Sequence, residues 1–425
     1  MIHQHTICRA CQGKRLSQIL DLGEMPLAND FVEPGKPGAG KFPLQLMLCE
    51  TCSLVQLGHV VSPEVLYSNY NYVTSTSATM RNHLDAQFKM LLSELTTKEP
   101  KVLEIASNTG EYLKRFQKAG CSVLGVEPAA NIAMLANNDK VGTKCMMFTE
   151  ETSFYIANSF GKADLIIARH VFAHIDDWAD FVNGLKRVMH RDTLAVIEVP
   201  YVMDFFARCE FDSIYHEHLS YVSITAVNRL LSGGSGLKIT RVDRCNIHGG
   251  SILIHLRRED FECEIHQTVE TALHVEKCSG ISKLSRWNGF VEQFRVIRRT
   301  LPAFLAGLKA SGNRIIGYGA AAKGNTLLNA CGIGTDHLDG IIDNTPFKQG
   351  KVAPGSRIPI LPPEKLLENQ PDHALILAWN FEEEIVFRER EYQRRGGRFI
   401  SSTPNPKIIP FVDSLPKAGV LTGSK

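Results

Sequence analysis

The sequence predicts an α/β protein: a small metal-stapled module followed by two Rossmann-like units. Three observations carry this. Two Cys-x-x-Cys pairs, Cys8/Cys11 and Cys49/Cys52, lie in a turn-rich N-terminal stretch with few periodic segments. From residue 76 to 300, apolar strand-like runs alternate with runs of helical spacing, the pattern of βαβ units on a parallel sheet. From residue 301 to 413 the alternation starts afresh with "NRIIGYGAAAKGNTLLNACG", a strand, a Gly-rich turn and a helix. The expected boundaries are a module over 1–75, a central domain over 76–300, a third domain over 301–413 and a loose tail over 414–425.

Composition bounds the function. A chain of 425 residues has room for two or three domains, and 44% hydrophobic residues supply their cores. The formal net charge of +2 comes without a basic stripe or an acidic tail, so nothing calls for nucleic acid. No apolar run approaches the roughly 18 residues that argue a membrane span. The start, "MIHQHTICRA", lacks the charged and apolar regions of a secretory signal. Eleven cysteines, four in the two pairs and seven scattered, fit a reduced cytoplasm with one metal site better than a disulfide framework.

In the first block, two Cys-x-x-Cys knuckles can place four thiolates tetrahedrally around one Zn²⁺, each knuckle closing a tight turn and the ion linking the two. All four ligands, Cys8, Cys11, Cys49 and Cys52, come from the protein and leave no open position for water, so the site is expected to be structural. Unligated buried cysteines would leave the block without a staple, and a redox Cys-x-x-Cys would not explain the second pair. His3, His5 and His59 read as surface residues.

In the central block "KVLEIAS" is a first strand, and "GEYLKRFQKAG" a helix ending at Gly120. "SVLGVEP" and "ADLIIARHVFAHI" are the next strands, "LAVIEVPY" follows, and "SILIHLRR" has the look of a later antiparallel strand. Residues 280–310 read as a long helix leading into the third block. In this fold class the turn after the first strand lies beneath the ligand, and small residues let the backbone approach it. Here that turn is "ASNTG", so Ala106, Asn108 and Gly110 are cofactor-binding candidates. Glu127, followed by Pro128, closes the next strand, where an acid can accept both hydroxyls of a ribose. Glu104 precedes the turn; it would repel a pyrophosphate and suits a cationic ligand such as S-adenosylmethionine. The turn after "LIIAR", with His170, is placed to meet the methionine part. The absence of GxGxxG counts against NAD in this block, and the plain alternative is an ordinary βαβ unit with an incidental Glu127.

The stretch "FDSIYHEHLSYVS" sets Tyr215, His216, Glu217 and His218 in a row. Moving a methyl group from a sulfonium to carbon needs a proton removed beside a carbonyl, which a His or Glu with a pKa near neutrality can do. A Tyr or a second His can hydrogen-bond the developing oxyanion. If the segment is extended, Tyr215 with Glu217, or His216 with His218, share a face. His174 lies at the turn that opens toward the ligand. The alternatives are hydrogen-bonded structural histidines, or a metal held by two His and a Glu.

Taken together, these motifs make the chain resemble the NDP-deoxysugar C-methyltransferases, which methylate 4-ketohexoses carried on nucleoside diphosphates. The resemblance runs nearly end to end, through "CRAC", "LDLGEMPLANDF", "YNYVTSTSATMRNH", "LEIASNTGEYL", "GVEPAANIA", "HVFAHIDD", "EFDSIYHEHLSYVS", "HGGSI", "GYGAAAKGNTLLN" and "IIDNTPFKQGKVAPGSRIPI". It implies a zinc-binding module, a central class I S-adenosylmethionine methyltransferase domain and a C-terminal Rossmann-like domain. It implies His218 as general base, Glu217 and Tyr215 supporting it or binding the sugar, His174 beside the reacting centre, and Tyr72 (or less commonly Tyr70) of "YNYV" reaching the cofactor or sugar. His216 and His248 would line the sugar pocket. Lys323, with Tyr318 and Asn325 of the same Gly-rich segment, would hold the nucleoside diphosphate at a helix N-terminus. The implied substrate is a TDP-linked 4-keto-deoxysugar methylated at C3, or less commonly C5, by a cytoplasmic monomer or weak dimer. Two departures stand out. The family turn usually reads "GSNDG", so Ala106 replaces a Gly and Thr109 an acid; Ala321 stands where Pro is common.

Two other functions compete. An NAD-dependent nucleotide-sugar oxidoreductase or epimerase would use "GYGAAAKGN" with Asp343 on the ribose, but Lys323 and Gly324 break the fingerprint. A non-enzymatic zinc-knuckle module binding protein or nucleic acid sits poorly with the near-neutral charge.

Overall fold

The computed structural model describes residues 2–66 and 78–411; Tyr70, Tyr72 and the tail over 414–425 lie outside them. The chain divides into two compact units. The first comprises residues up to Asp21, Leu44–Glu210 and His216–Phe290, and the second Leu22–Pro43, Phe211–Tyr215 and the chain from Val291 on.

The strands in chain order begin with β1 (Ile2–Gln4), β2 (Leu16–Pro26), β3 (Lys41–Cys49), β4 (Val55–Leu57) and β5 (His59–Val61). The central stretch adds β6 (Lys101–Ile105), β7 (Ser122–Val126), β8 (Thr143–Lys144), β9 (Ala163–Arg169), β10 (Met189–Pro200), β11 (Ser220–Tyr221), β12 (Leu237–Cys245) and β13 (Ser251–Arg258). The last are β14 (Ile315–Tyr318), β15 (Ile341–Ile342), β16 (Ile360–Leu361), β17 (His373–Ile376), β18 (Arg398–Ser401) and β19 (Lys407–Ile408).

The first unit is built on a seven-stranded sheet in the order β12-β13-β10-β9-β6-β7-β8. β6, β7, β8, β9 and β10 pair in parallel, while β13 is antiparallel to both β10 and β12. The parallel strands read as continuous apolar runs because helices cover both faces. On one face Leu84 and Leu91 of the helix Ala78–Ser93 pack with Phe116, Leu165, Ile167 and Val196. Strand order reverses between β6 and β9, and the crevice at the carboxyl ends there is where such sheets take ligands.

The run "ADLIIARHVFAHI" does not stay extended. β9 stops at Arg169, His170 turns left-handed at φ 51°, and Phe172–His174 form a 3₁₀ turn. The helix read over 280–310 is regular from Asn288 to Ala310 and is preceded by a 3₁₀ turn, Leu284–Trp287.

The N-terminal module carries a two-stranded sheet, β1-β5, and a four-stranded sheet in the order β11-β4-β3-β2. Its edge strand β11 comes from far along the chain, directly after "YHEH": Ser220 pairs with Gln56 and Tyr221 with Val55. His5 is less of a surface residue than its sequence suggested. Its Nε2 lies 3.1 Å from the Asp176 carboxylate.

The second unit has a six-stranded sheet in the order β16-β15-β14-β17-β18-β19, parallel except for β19. Ile316, Ile342, Ile376, Tyr392 and Phe399 form its core. The long β2–β3 connection contributes to this unit, where Val32 bridges Val352.

Candidate active site

The four cysteines of the two knuckles converge in the first unit, each offering one sulfur within 4.8 Å of the others. Cys8 Sγ and Cys52 Sγ are 3.4 Å apart, and Cys11 Sγ and Cys49 Sγ 3.6 Å. Four converging soft ligands, three buried and Cys11 partly so, fit Zn²⁺ and close its coordination sphere without water. Such a site is structural.

At the carboxyl edge of β6, the "ASNTG" turn alternates its backbone: Ala106, Asn108 and Gly110 take φ of 54°, 50° and 72°. Gly110 is required twice over, since a Cβ there would also come within 2.8 Å of Val141. This winding aims the amide of Asn108 at Glu127 Oε2, 2.9 Å away, and Ala129 N donates to Oε1 at 3.0 Å. Burial pushes the Glu127 carboxyl up, and those two amides pull it back. Pro128 between them is exposed.

Glu104 is fully buried, and its Oε1 accepts from Arg169 Nε at 3.1 Å and Nη2 at 2.9 Å. The carboxylate suggested for a cationic ligand therefore already has a guanidinium, which in turn stacks on Tyr112 at 4.3 Å. Burial pushes Glu104 up to about 7 against that pairing.

One residue further along the chain, His170 meets a group that motif reading passed over. Glu198 of β10 is fully buried, and its Oε1 lies 2.9 Å from both His170 Nε2 and His83 Nε2. Gln87 Nε2 donates to Oε2 at 2.6 Å. Burial pushes this carboxyl up, but His170 and His83 hold it well below the usual carboxylate range. An ionised carboxylate only accepts, so both imidazoles present Nε2–H to it. A sequence signal did exist: one acid inside the apolar run "LAVIEVPY" needs buried partners. The His170 ring also stands edge-on to that of His248, centroids 4.4 Å apart, and His248 is likewise left-handed at φ 55°.

"YHEH" is not a strand. Residues 215–217 form a turn between the 3₁₀ turn Phe211–Ser213 and β11. The alternating-face pairing therefore does not apply. His216 and Glu217 are buried, at 2% and 6% exposure, and Tyr215 and His218 are partly exposed. What meets His218 is His174: the rings lie 5.0 Å apart at 84°. Burial and His170 push the His174 imidazole down to about 4, while a hydrogen bond to the Glu217 backbone opposes them. His174 is thus a neutral hydrogen-bonding ring near pH 7.

In the second unit the Gly-rich segment leads into the helix Ala322–Cys331, which has no side-chain cap. Lys323 Nζ sits 4.6 Å from the Trp379 ring centre, and Trp379 Nε1 donates to Asp212 Oδ2. Asn325 is 1% exposed and donates to the Ala28 carbonyl at 2.8 Å. Tyr318 is 3% exposed; its hydroxyl lies 2.5 Å from Glu389 Oε1 and accepts from Arg388 at 2.9 Å. The Tyr318 hydroxyl and the Asn325 amide nitrogen thus each have a partner within the protein, while Asn325 Oδ1 has no hydrogen-bond partner among the described residues. Asp343, the ribose partner required by an NAD reading, accepts from the amides of Ala320 and Thr345 at 2.7 and 2.8 Å.

Comparison with known proteins covers most of the chain. Residues 8–67 match a zinc-binding domain, residues 79–242 a methyltransferase domain, and residues 246–404 a C-methyltransferase C-terminal domain. The chain is 36% identical over 411 residues to the C-methyltransferase NovU of Streptomyces niveus, covering 96% of this chain and 98% of that one. Similar solved structures include the magnesium protoporphyrin IX methyltransferase of Synechocystis PCC 6803 with bound SAM, at 13% identity and TM-score 0.33, covering 42% of this chain and 80% of that one. Another is a SAM-dependent methyltransferase of Anabaena variabilis, at 12% identity and TM-score 0.36, covering 43% and 86%.

Proposed function

We propose, for a chain that belongs to the C-methyltransferase family, that it methylates the carbon beside the ketone of a nucleoside-diphosphate 4-keto-deoxysugar, C3 in preference to C5, from S-adenosylmethionine. The donor supplies an electrophilic methyl group on a sulfonium; the chain's own residues bind, orient and move a proton. Ala106, Asn108 and Gly110 shape the donor turn, and Glu127 takes the ribose hydroxyls on lone pairs its two amides leave over. His170 and Tyr72 complete this side, the latter outside the described residues. His218 removes the proton, while His174, neutral at pH 7, stabilises the oxyanion that develops on the ketone. Glu217 and Tyr215 orient the base, and His216 and His248 bound the sugar. Lys323 and the uncapped amides of its helix take the diphosphate, for which TDP is the expected carrier.

The observation that carries this reading is the edge-to-face approach of His174 and His218, 5.0 Å apart, in the same unit as the donor turn. A proton acceptor beside a neutral donor is what enolate formation needs. The test is mass spectrometry of purified protein with methyl-labelled S-adenosylmethionine and a panel of nucleotide 4-ketosugars, wild type against His218→Gln. The variant should lose turnover by about 10²-fold or more while still binding S-adenosylhomocysteine. Full turnover in the variant, or label gained at oxygen, would sink the assignment.

A further inference from the structure

Arg9 follows Cys8 within the first knuckle, yet its side-chain hydrogen bonds go to groups other than the four cysteines. It is 1% exposed, a full guanidinium buried in the first unit. Nε donates to Asp176 Oδ1 at 2.9 Å. Nη1 donates to two carbonyls, Leu57 O and Leu219 O, each at 3.2 Å. The backbone is fixed as well, since Arg9 N donates to Gln56 Oε1 at 3.0 Å.

The addresses of these partners matter. Asp176 is two residues past His174, at the base of the loop that carries it. Leu219 is the residue after His218, and its carbonyl also accepts from Leu57 N at 2.9 Å. One planar fork therefore ties together the roots of the two loops whose tips bring the imidazoles within 5.0 Å. A buried arginine is costly unless its donors find acceptors; here Nε and Nη1 find a carboxylate and two carbonyls, Leu57 O of β4 and Leu219 O after the "YHEH" turn, while Nη2 has no hydrogen-bond partner among the described residues. A lysine offers a point charge on a flexible stem and cannot span the same three acceptors.

We infer that Arg9 is a positioning residue for the methyl transfer: the zinc knuckle anchors its backbone, and its guanidinium sets the spacing of His174 and His218. The module is then part of the catalytic frame. This rests on the reading of those two histidines as the proton-handling pair. A misplacement of roughly 1 Å between reacting groups costs about 10²-fold in rate, which is the scale Arg9 controls.

The test uses the full chain with zinc bound. Arg9→Lys and, from outside the module, Asp176→Asn are compared with wild type by zinc content, S-adenosylhomocysteine affinity, and the ring–ring nuclear Overhauser effect between His174 and His218 in histidine-labelled protein. Both variants are expected to keep the metal and the nucleoside affinity, to lose the Overhauser effect, and to drop about 10²-fold in kcat, with the double variant no worse than either single one. Retention of the Overhauser effect and of kcat in Arg9→Lys overturns the inference. If Arg9→Lys sheds zinc, Asp176→Asn decides: an intact ring contact there overturns it, a lost one supports it. If the ring contact is lost in both variants while His218→Gln turns over normally, the positioning stands and the assignment of the base falls.

Discussion

Ala106 shows what one methyl group costs. The position takes φ 54°, where a residue with a Cβ is strained by about 1–2 kcal/mol and Gly is not. Ala106→Gly should therefore raise stability by up to about 1 kcal/mol, the gain being partly offset by the freer unfolded chain. Ala106→Val should lower it, and thermal unfolding of the two variants checks the sign. His174 gives a second residue-scale expectation. Its folded pKa, about 4, lies below the ordinary 6.5, so between those values the unfolded chain binds the extra proton. Stability from this group is complete above pH 6.5 and is lost as pH falls toward 4. Urea melts of His174→Gln against wild type across that window should converge at acid pH; parallel curves would count against a ring kept neutral in the folded protein.

At the scale of elements, the decisive one is the two-residue strand β11. It follows His218 by one residue and completes the sheet of the zinc module by pairing with β4. The Cys49/Cys52 knuckle closes the turn between β3 and β4, so the metal supports the strand on which the "YHEH" segment is moored. Removing zinc is expected to abolish turnover even though no thiolate touches substrate, because structural Zn²⁺ contributes folding energy directly. Hydrogen exchange should show residues 216–221 opening in the chelated protein and closing again on adding zinc. Unchanged protection in metal-free protein would contradict this. The same coupling explains why an alternating-face argument could not place the "YHEH" side chains: the segment is a turn whose course is set by its partners.

At the scale of the molecule, each unit has its own large Rossmann-like sheet and its own core, and the proposed ligands divide accordingly. Lys323→Ala should weaken a nucleoside diphosphate, measured by calorimetry, and leave S-adenosylhomocysteine affinity unchanged; an equal loss of both would contradict separate binding. No described helix is long and apolar enough to cross a membrane. The sequence by itself determined the α/β class, the two larger sheets and the cysteine set. Apolar periodicity and Cys-x-x-Cys spacing are local properties, written in neighbouring residues. It also brought Glu127, His174 and His218 into view by residue type. Only the tertiary structure decided their company: Glu104 with Arg169, Glu198 with His83 and His170, Arg9 with Asp176 and Leu219. Those pairings join residues up to 210 positions apart. A buried charge must find its partner wherever the fold delivers one, and no local pattern records where that will be.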